Sequence, residues 1–204
     1  MIREPNESEI DKCVELIYTA GPYMFNYFLA SEPPKVYDLI KVFYTKPDVL
    51  FSHTNVLVKI ENGEVCGLLL SLPTKDMEQM AKNMMKYGKE LLSKTGFFGA
   101  IKMVFRSGLQ RYLDVNGTDE YYVSNLAVFE KHRGKGIGTE LLKKAEELAK
   151  ENGYKKLSLV VEHYNKNAKR VYEKFGFKEE LNVILPKKYH KHNLDGFYKM
   201  VKVL

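Results

Sequence analysis

Cysteine is scarce: Cys13 and Cys66 are the only two in 204 residues, too few for a disulfide framework. They read as buried free thiols of a reducing compartment. Long apolar runs are missing as well. No stretch approaches the roughly 18 apolar residues of a membrane span. The opening MIREPNESEIDK places charges where a signal peptide needs an apolar segment. A cytoplasmic protein with no membrane partner is therefore expected. No internal repeat or low-complexity tract is present, so the chain reads as one domain. Hydrophobic residues at 45% and charged residues at 28% exclude wholesale disorder, a collagen-like repeat and a coiled-coil rod. A chain this long buries about 70% of its extended surface on folding, enough for one core without staples.

Basic residues number 32 against 26 acidic ones, giving +6 and a pI near 9.0. That balance suits an anionic ligand without identifying it. Nucleic acid ranks last among the candidates, because the cations are interspersed with acids and no aromatic-basic stacking motif occurs.

Hydrophobic spacing places the elements. A short strand at Ile2 and Arg3 precedes a helix capped by Asn6 or Ser8, with Ile10, Val14, Ile17 and Tyr18 on one face and Gly21-Pro22 as its stop. Val36, Leu39, Ile40 and Phe43 mark a second helix after Pro33-Pro34, so an N-terminal pair is expected. Two apolar runs, about 54–60 and 65–72, flank Glu61-Asn62-Gly63-Glu64, a tight-hairpin signal because Asn-Gly tolerates positive φ. From Pro73 to Gly117 the spacing turns helical: Met77, Met80, Met84 and Leu91, then Phe98, Ile101, Phe105, Leu109 and Tyr112. Beyond it come a strand at 121–129, a Gly-rich loop, and a helix with Ile137, Leu141, Leu142, Ala145 and Leu148 inward that ends at Asn152-Gly153. KLSLVVE is a strand, 165–175 a helix stopped by Gly176, and strands follow at about 179–185 and 196–203. The fold class is α/β (α+β by some schemes), with a mixed, mostly antiparallel sheet flanked by helices and a helical insertion over about 73–117.

The stretch Arg133-Gly134-Lys135-Gly136-Ile137-Gly138-Thr139 carries the chemistry, because it joins a strand to a helix. Its glycines let backbone N–H groups converge without Cβ obstruction, and the helix N-terminus adds unpaired donors and a positive dipole end. The spacing fits neither the dinucleotide fingerprint nor a P-loop, so a pyrophosphate on another ligand is the better match.

On these residues the chain resembles the GNAT superfamily of N-acetyltransferases. Arg133, Gly136 and Gly138 fill that family's Arg/Gln-x-x-Gly-x-Gly/Ala motif, SNLAVFEKH looks like its cofactor-facing strand, and Asn165-x-x-Ala168-x-x-x-Tyr172-x-x-x-Gly176-Phe177 looks like its second signature. The likeness runs from about 53 to 177 and is absent over the insertion. It implies a single N-acetyltransferase domain over 1–204, with acetyl-CoA as co-substrate and an amine of a small molecule or protein as acceptor. Leu126, Ala127 and Val128 would lie along the pantetheine arm, residues 133–139 under the diphosphate, Asn165 against the pantetheine, and Tyr172 as proton donor to the departing thiolate. A phenol with a pKa of about 10 is protonated at neutral pH and can serve as that donor.

An attacking ammonium must first lose a proton, and Glu162 is preferred for this over His163 and Glu120. Blander roles compete with each of these assignments. Tyr172 sits at core spacing with Ala168, Val171 and Phe175, Asn165 can be a helix cap alone, and Glu162 can be a solvated strand end. His190 and His192 can line an acceptor site or bind metal, but with no carboxylate or cysteine at ligand spacing a surface basic loop is preferred and no metal is expected. The methionines at 77, 80, 84, 85 and 103 are core, or part of a lid that selects the acceptor. A non-catalytic acyl-CoA-binding module is the alternative to an enzyme, and a homodimer is compatible with the sequence.

Overall fold

The computed structural model describes all 204 residues. Seven strands, β1 (Ile2–Arg3), β2 (Val56–Glu61), β3 (Glu64–Pro73), β4 (Tyr121–Val128), β5 (Lys156–Glu162), β6 (Lys178–Ile184) and β7 (Gly196–Val203), form one sheet in the order β1-β2-β3-β4-β5-β7-β6. Every neighbouring pair is antiparallel except β4 and β5. The expected mixed, mostly antiparallel sheet is present. The β2–β3 hairpin turns at Asn62 and Gly63, both at positive φ (50° and 77°), as the Asn-Gly pair predicts.

Between β1 and β2 lie three helices, α1 (Ile10–Ala20), α2 (Pro22–Phe28) and α3 (Lys35–Tyr44), where the sequence predicts two. The difference is Pro22: it ends α1 and occupies the first turn of α2, where its missing N–H costs nothing. Between β3 and β4 come α4 (Thr74–Met84), α5 (Gly88–Arg106) and α6 (Gln110–Leu113), so the insertion is helical as expected. The remaining helices are α7 (Ile137–Glu151), α8 (Lys166–Phe175) and α9 (Lys187–His190). None of the helices is long and apolar enough to cross a membrane.

The core falls into layers. Val14 and Ile17 of α1 and Leu39, Ile40 and Phe43 of α3 pack with Val56, Val58, Leu68 and Leu70 of the hairpin. On the other sheet face, Ile137, Leu141, Leu142 and Ala145 of α7 pack with Leu69, Val123, Leu157, Leu159, Val161 and Tyr172. A third cluster joins Leu109 of the insertion to Leu185, Tyr189, Leu194 and Phe197. The methionine stripe divides: Met77, Met80, Met84 and Met103 rest against the first cluster, whereas Met85 is exposed. The second insertion stripe departs further from expectation. Leu109 is fully buried, but Phe98 and Phe105 are 85% and 83% exposed, so helical spacing here does not mark an inward face.

Two irregularities position the site. β4 and β5 pair only through Tyr121–Val123 and Leu157–Leu159, after which the strands part. From Ser124 onward β4 therefore has no strand partner on its β5 side. Opposite β3, Leu70 pairs with Asn125 and Ser71 with Val123, so Ser124 bulges out. The bulge turns the strand's faces over: Val123 packs beneath α7, while Asn125 donates to the Ile17 carbonyl of α1 and Ala127 joins the first cluster.

Candidate active site

The Gly-rich loop lies at the foot of this opening. Gly134 and Gly136 hold φ of 79° and 81°, the left-handed region that favours glycine, and a Cβ at either position or at Gly138 would meet no atom within 4 Å. The loop is thus an open cradle. Gly136 is the N-cap of α7 and offers no side-chain oxygen, which leaves first-turn N–H groups without a capping partner. Arg133 is partly engaged, its Nε donating to the Val128 carbonyl at 3.1 Å. Lys135 and Thr139 are exposed, and Ile137 is buried, so Ile137 can present only backbone outward. Leu126 and Val128 pack on the α7 side, and their backbone lies along the unpartnered edge of β4.

At the end of β5, burial pushes the Glu162 carboxyl up to about 7, and the one group favouring its charge is its own backbone N–H. A Cβ at Gly21 would come within 3.1 Å of Glu162 Oε1, so the α1–α2 junction closes over this carboxyl. Tyr122, Tyr164 and Tyr172 surround it. Each phenol is raised above its ordinary value, first by burial and then by the nearby Glu162 charge. Glu162 and Tyr172 are therefore neighbours. Tyr172 also packs on Phe177, with ring centroids 5.9 Å apart, so it is a core aromatic as well.

The other base candidates are occupied. Glu120 is buried in an ion pair with Lys199, Nζ to Oε1 at 2.7 Å, with side chains 2% and 4% exposed. His163 points away toward β6 and β7, its Nε2 2.8 Å from Asn182 Oδ1 and its ring 4.5 Å from that of Tyr198. Asn165 caps α8, its Oδ1 accepting from the Ala168 N–H at 3.2 Å, which leaves only its amide NH2 for another contact.

Two adjoining cavities of about 520 and 510 Å3 share Tyr27, Arg106, Lys191 and His192, and the second is also lined by Tyr23, whose ring meets that of Tyr164. Sequence reasoning missed this region apart from His192. Its residues come from α2 and the turn after it, α5, α6, α9 and the segment after α9, and no local spacing joins them. Tyr23 and Tyr122 were missed for the same reason, since single tyrosines in apolar segments carry no signal of their own.

Residues 23–177 match the Acetyltransferase (GNAT) family, and the chain belongs to it. It is similar to the uncharacterized N-acetyltransferase YhfO of Bacillus subtilis (strain 168), 38% identical over 64 residues that cover 31% of this chain and 43% of YhfO. The match thus spans less than half of that relative's length. Among solved structures it resembles an N-acetyltransferase from Staphylococcus aureus Mu50, with a TM-score of 0.71 at 20% identity, covering 98% of this chain and 99% of the other. A GNAT family acetyltransferase from Elizabethkingia anophelis with acetyl-CoA bound gives a TM-score of 0.55 at 17% identity, covering 100% and 97%. At these identities the structural likeness speaks for the fold.

Proposed function

We propose that the chain is an acetyl-CoA-dependent N-acetyltransferase that moves the acetyl group directly to a primary amine. The observation that carries this reading is the open cradle at the start of α7, placed where β4 parts from β5. Its glycines and free first-turn N–H groups suit a diphosphate, and the unpartnered backbone of Leu126, Ala127 and Val128 suits an amide-bearing arm. The acetyl-CoA bound to the Elizabethkingia relative is the ligand with both parts.

Glu162 takes one proton from the incoming ammonium, and the freed nitrogen lone pair forms the new C–N bond at the thioester carbonyl. The C–S bond breaks and the sulfur leaves as thiolate. The Tyr172 hydroxyl, held protonated by burial, donates a hydrogen bond to that sulfur. That phenol passes its proton to the sulfur and is reprotonated by the second proton leaving the nitrogen, so one amide and one thiol result and the proton taken by Glu162 goes to solvent. Orientation of the two reactants supplies much of the acceleration. A binding-only module is the weaker reading, because a partly buried carboxyl ringed by tyrosines and raised above its ordinary value by burial suits proton transfer.

Melting with and without acetyl-CoA tests the site, comparing the natural protein with Gly138→Glu. Gly138 has helical backbone and open space, and an acid in a helix's first turn is favourable, so the variant is expected to fold normally. Its carboxylate would occupy and repel the diphosphate position. At about 100-fold excess over Kd, ligand adds about 2.7 kcal/mol, or roughly 5–10 °C, to the natural protein and little to the variant. Equal shifts in both would remove the cradle from the binding site.

A further inference from the structure

We propose that the acceptor amine carries an anionic group, a carboxylate or a phosphate, which seats in the basic cavity between α2, α5 and the segment after α9 while the amine lies at Glu162. The proposal rests on the acetyltransferase reading and names the class of its acceptor.

Five cations line the two cavities, Lys102, Arg106, Arg111, Lys188 and Lys191, against the single acid Glu32. None of the five is in an ion pair. Some lysines elsewhere are matched, as Lys156 is with Asp119, Lys169 with Glu179 and Lys202 with Glu146, but here five unpaired cations gather around one pair of cavities. Arg106 is nonetheless fixed in place: its Nη1 donates to the Asn26 and Tyr27 carbonyls at 3.1 and 2.8 Å, and its guanidinium lies 4.9 Å over the Tyr27 ring. These contacts hold the cation without neutralising it, which is what an anion site requires. His192 registers the resulting field, held below its ordinary value by burial and then by Arg106, Lys191 and Lys102. Asn26 also lines the second cavity, and its buried Oδ1 has no hydrogen-bond partner.

The charge distribution agrees. Residues 82–111 hold seven cations and one acid, Glu90, so this segment alone accounts for the chain's +6 and the remainder is balanced. Three of these seven cations, Lys102, Arg106 and Arg111, line the cavities. Cavities of this volume fit a small molecule.

α2 connects the two ends. Gly21, before its first turn, lies against Glu162, Tyr23 meets the Tyr164 ring edge-on at 5.0 Å, and Tyr27, near its other end, lines both cavities. Six residues of helix advance about 9 Å, so the amine and the anion would be separated by a spacer of that order.

Coenzyme A release with matched amines of similar spacer length tests this: 6-aminocaproate against hexylamine, and 5-aminopentyl phosphate against 5-aminopentanol. The natural protein should favour the anionic member by about tenfold or more in kcat/KM. The pair with the larger ratio distinguishes carboxylate from phosphate. Lys191→Met, at an exposed position that ties no elements together, should bring the ratio toward one. Equal turnover within both pairs would overturn the anion site while leaving acetyl transfer intact. Should no amine be turned over, inorganic phosphate is titrated into the acetyl-CoA-saturated protein. A melting shift lost in Lys191→Met upholds the site, and the absence of any shift overturns it.

Discussion

Two surfaces of the molecule are made of different material. On the β4–α7 wall the donors are backbone groups, exposed by glycines at 134, 136 and 138 and by a strand edge without a partner. On the second surface, the basic cavities of α2, α5, α9 and the segment after it, the groups are side chains: Arg106, Lys191, His192 and a set of tyrosines. A backbone-built surface tolerates the loss of almost any neighbouring side chain but not the addition of one. A side-chain-built surface behaves in the opposite way, and can change its ligand without disturbing the other wall. One scaffold can thus keep a fixed donor site beside a variable acceptor site.

Glu162, against Gly21 at the start of α2, is the proposed proton acceptor, so the largest effect is expected there. Glu162→Gln should lower kcat/KM by about 100- to 10,000-fold, the usual worth of a positioned proton acceptor. In the natural protein, kcat/KM should climb with pH and level off above about 7, as the carboxyl loses its proton. The variant should lack that bend. A fall of less than about tenfold, with the bend retained, would mean that the proton leaves by another route.

The same substitution should act oppositely on stability. In the unfolded chain Glu162 titrates near 4.5, but in the fold burial raises it to about 7. Below about 4.5 both states are protonated and the fold bears no penalty. As pH rises from there to about 7 the unfolded chain ionises first, so stability is lost across that window and the full deficit persists above it. Glu162→Gln should therefore gain about 2 kcal/mol at pH 8, roughly 4–8 °C in Tm, and nothing near pH 4. A variant that is less stable at pH 8 would show that the carboxylate has a partner in the fold.

This difference between the walls also explains what the sequence reveals. The backbone wall must be encoded locally, because N–H groups converge only where glycines stand at fixed spacing between a strand and a helix. Residues 133–139 were legible for that reason, as was the Asn62-Gly63 hairpin. Glu162 and Tyr172 were singled out by their positions around the second signature, and their roles belong to the proposed function. The basic wall was not, because Tyr27, Arg106 and Lys191 come together only through the packing of three distant segments. Helical spacing misled for Phe98 and Phe105, whose stripe faces outward, since periodicity reports a face without saying what covers it. Glu120 misled similarly: its place before β4 shows nothing of the buried Lys199 that holds it.

The smallest effect gives the sharpest comparison of the walls. Lys135 stands between Gly134 and Gly136, where a cation would be expected to grip a diphosphate, but it is exposed on the outer curve of the cradle. An exposed charge on a flexible stem is screened by salt and loses side-chain entropy when it is fixed, so its contribution is small. Lys135→Ala should weaken acetyl-CoA binding by no more than about fivefold at physiological salt. Calorimetric titration beside Gly138→Glu decides the matter. If deleting the lysine costs as much as adding a side chain at Gly138, the donor wall too is built from side chains, and the cradle's glycines serve only to turn the chain. If the lysine's loss is slight and fades further in salt while the glycine variant fails to bind at any ionic strength, the grip belongs to the backbone.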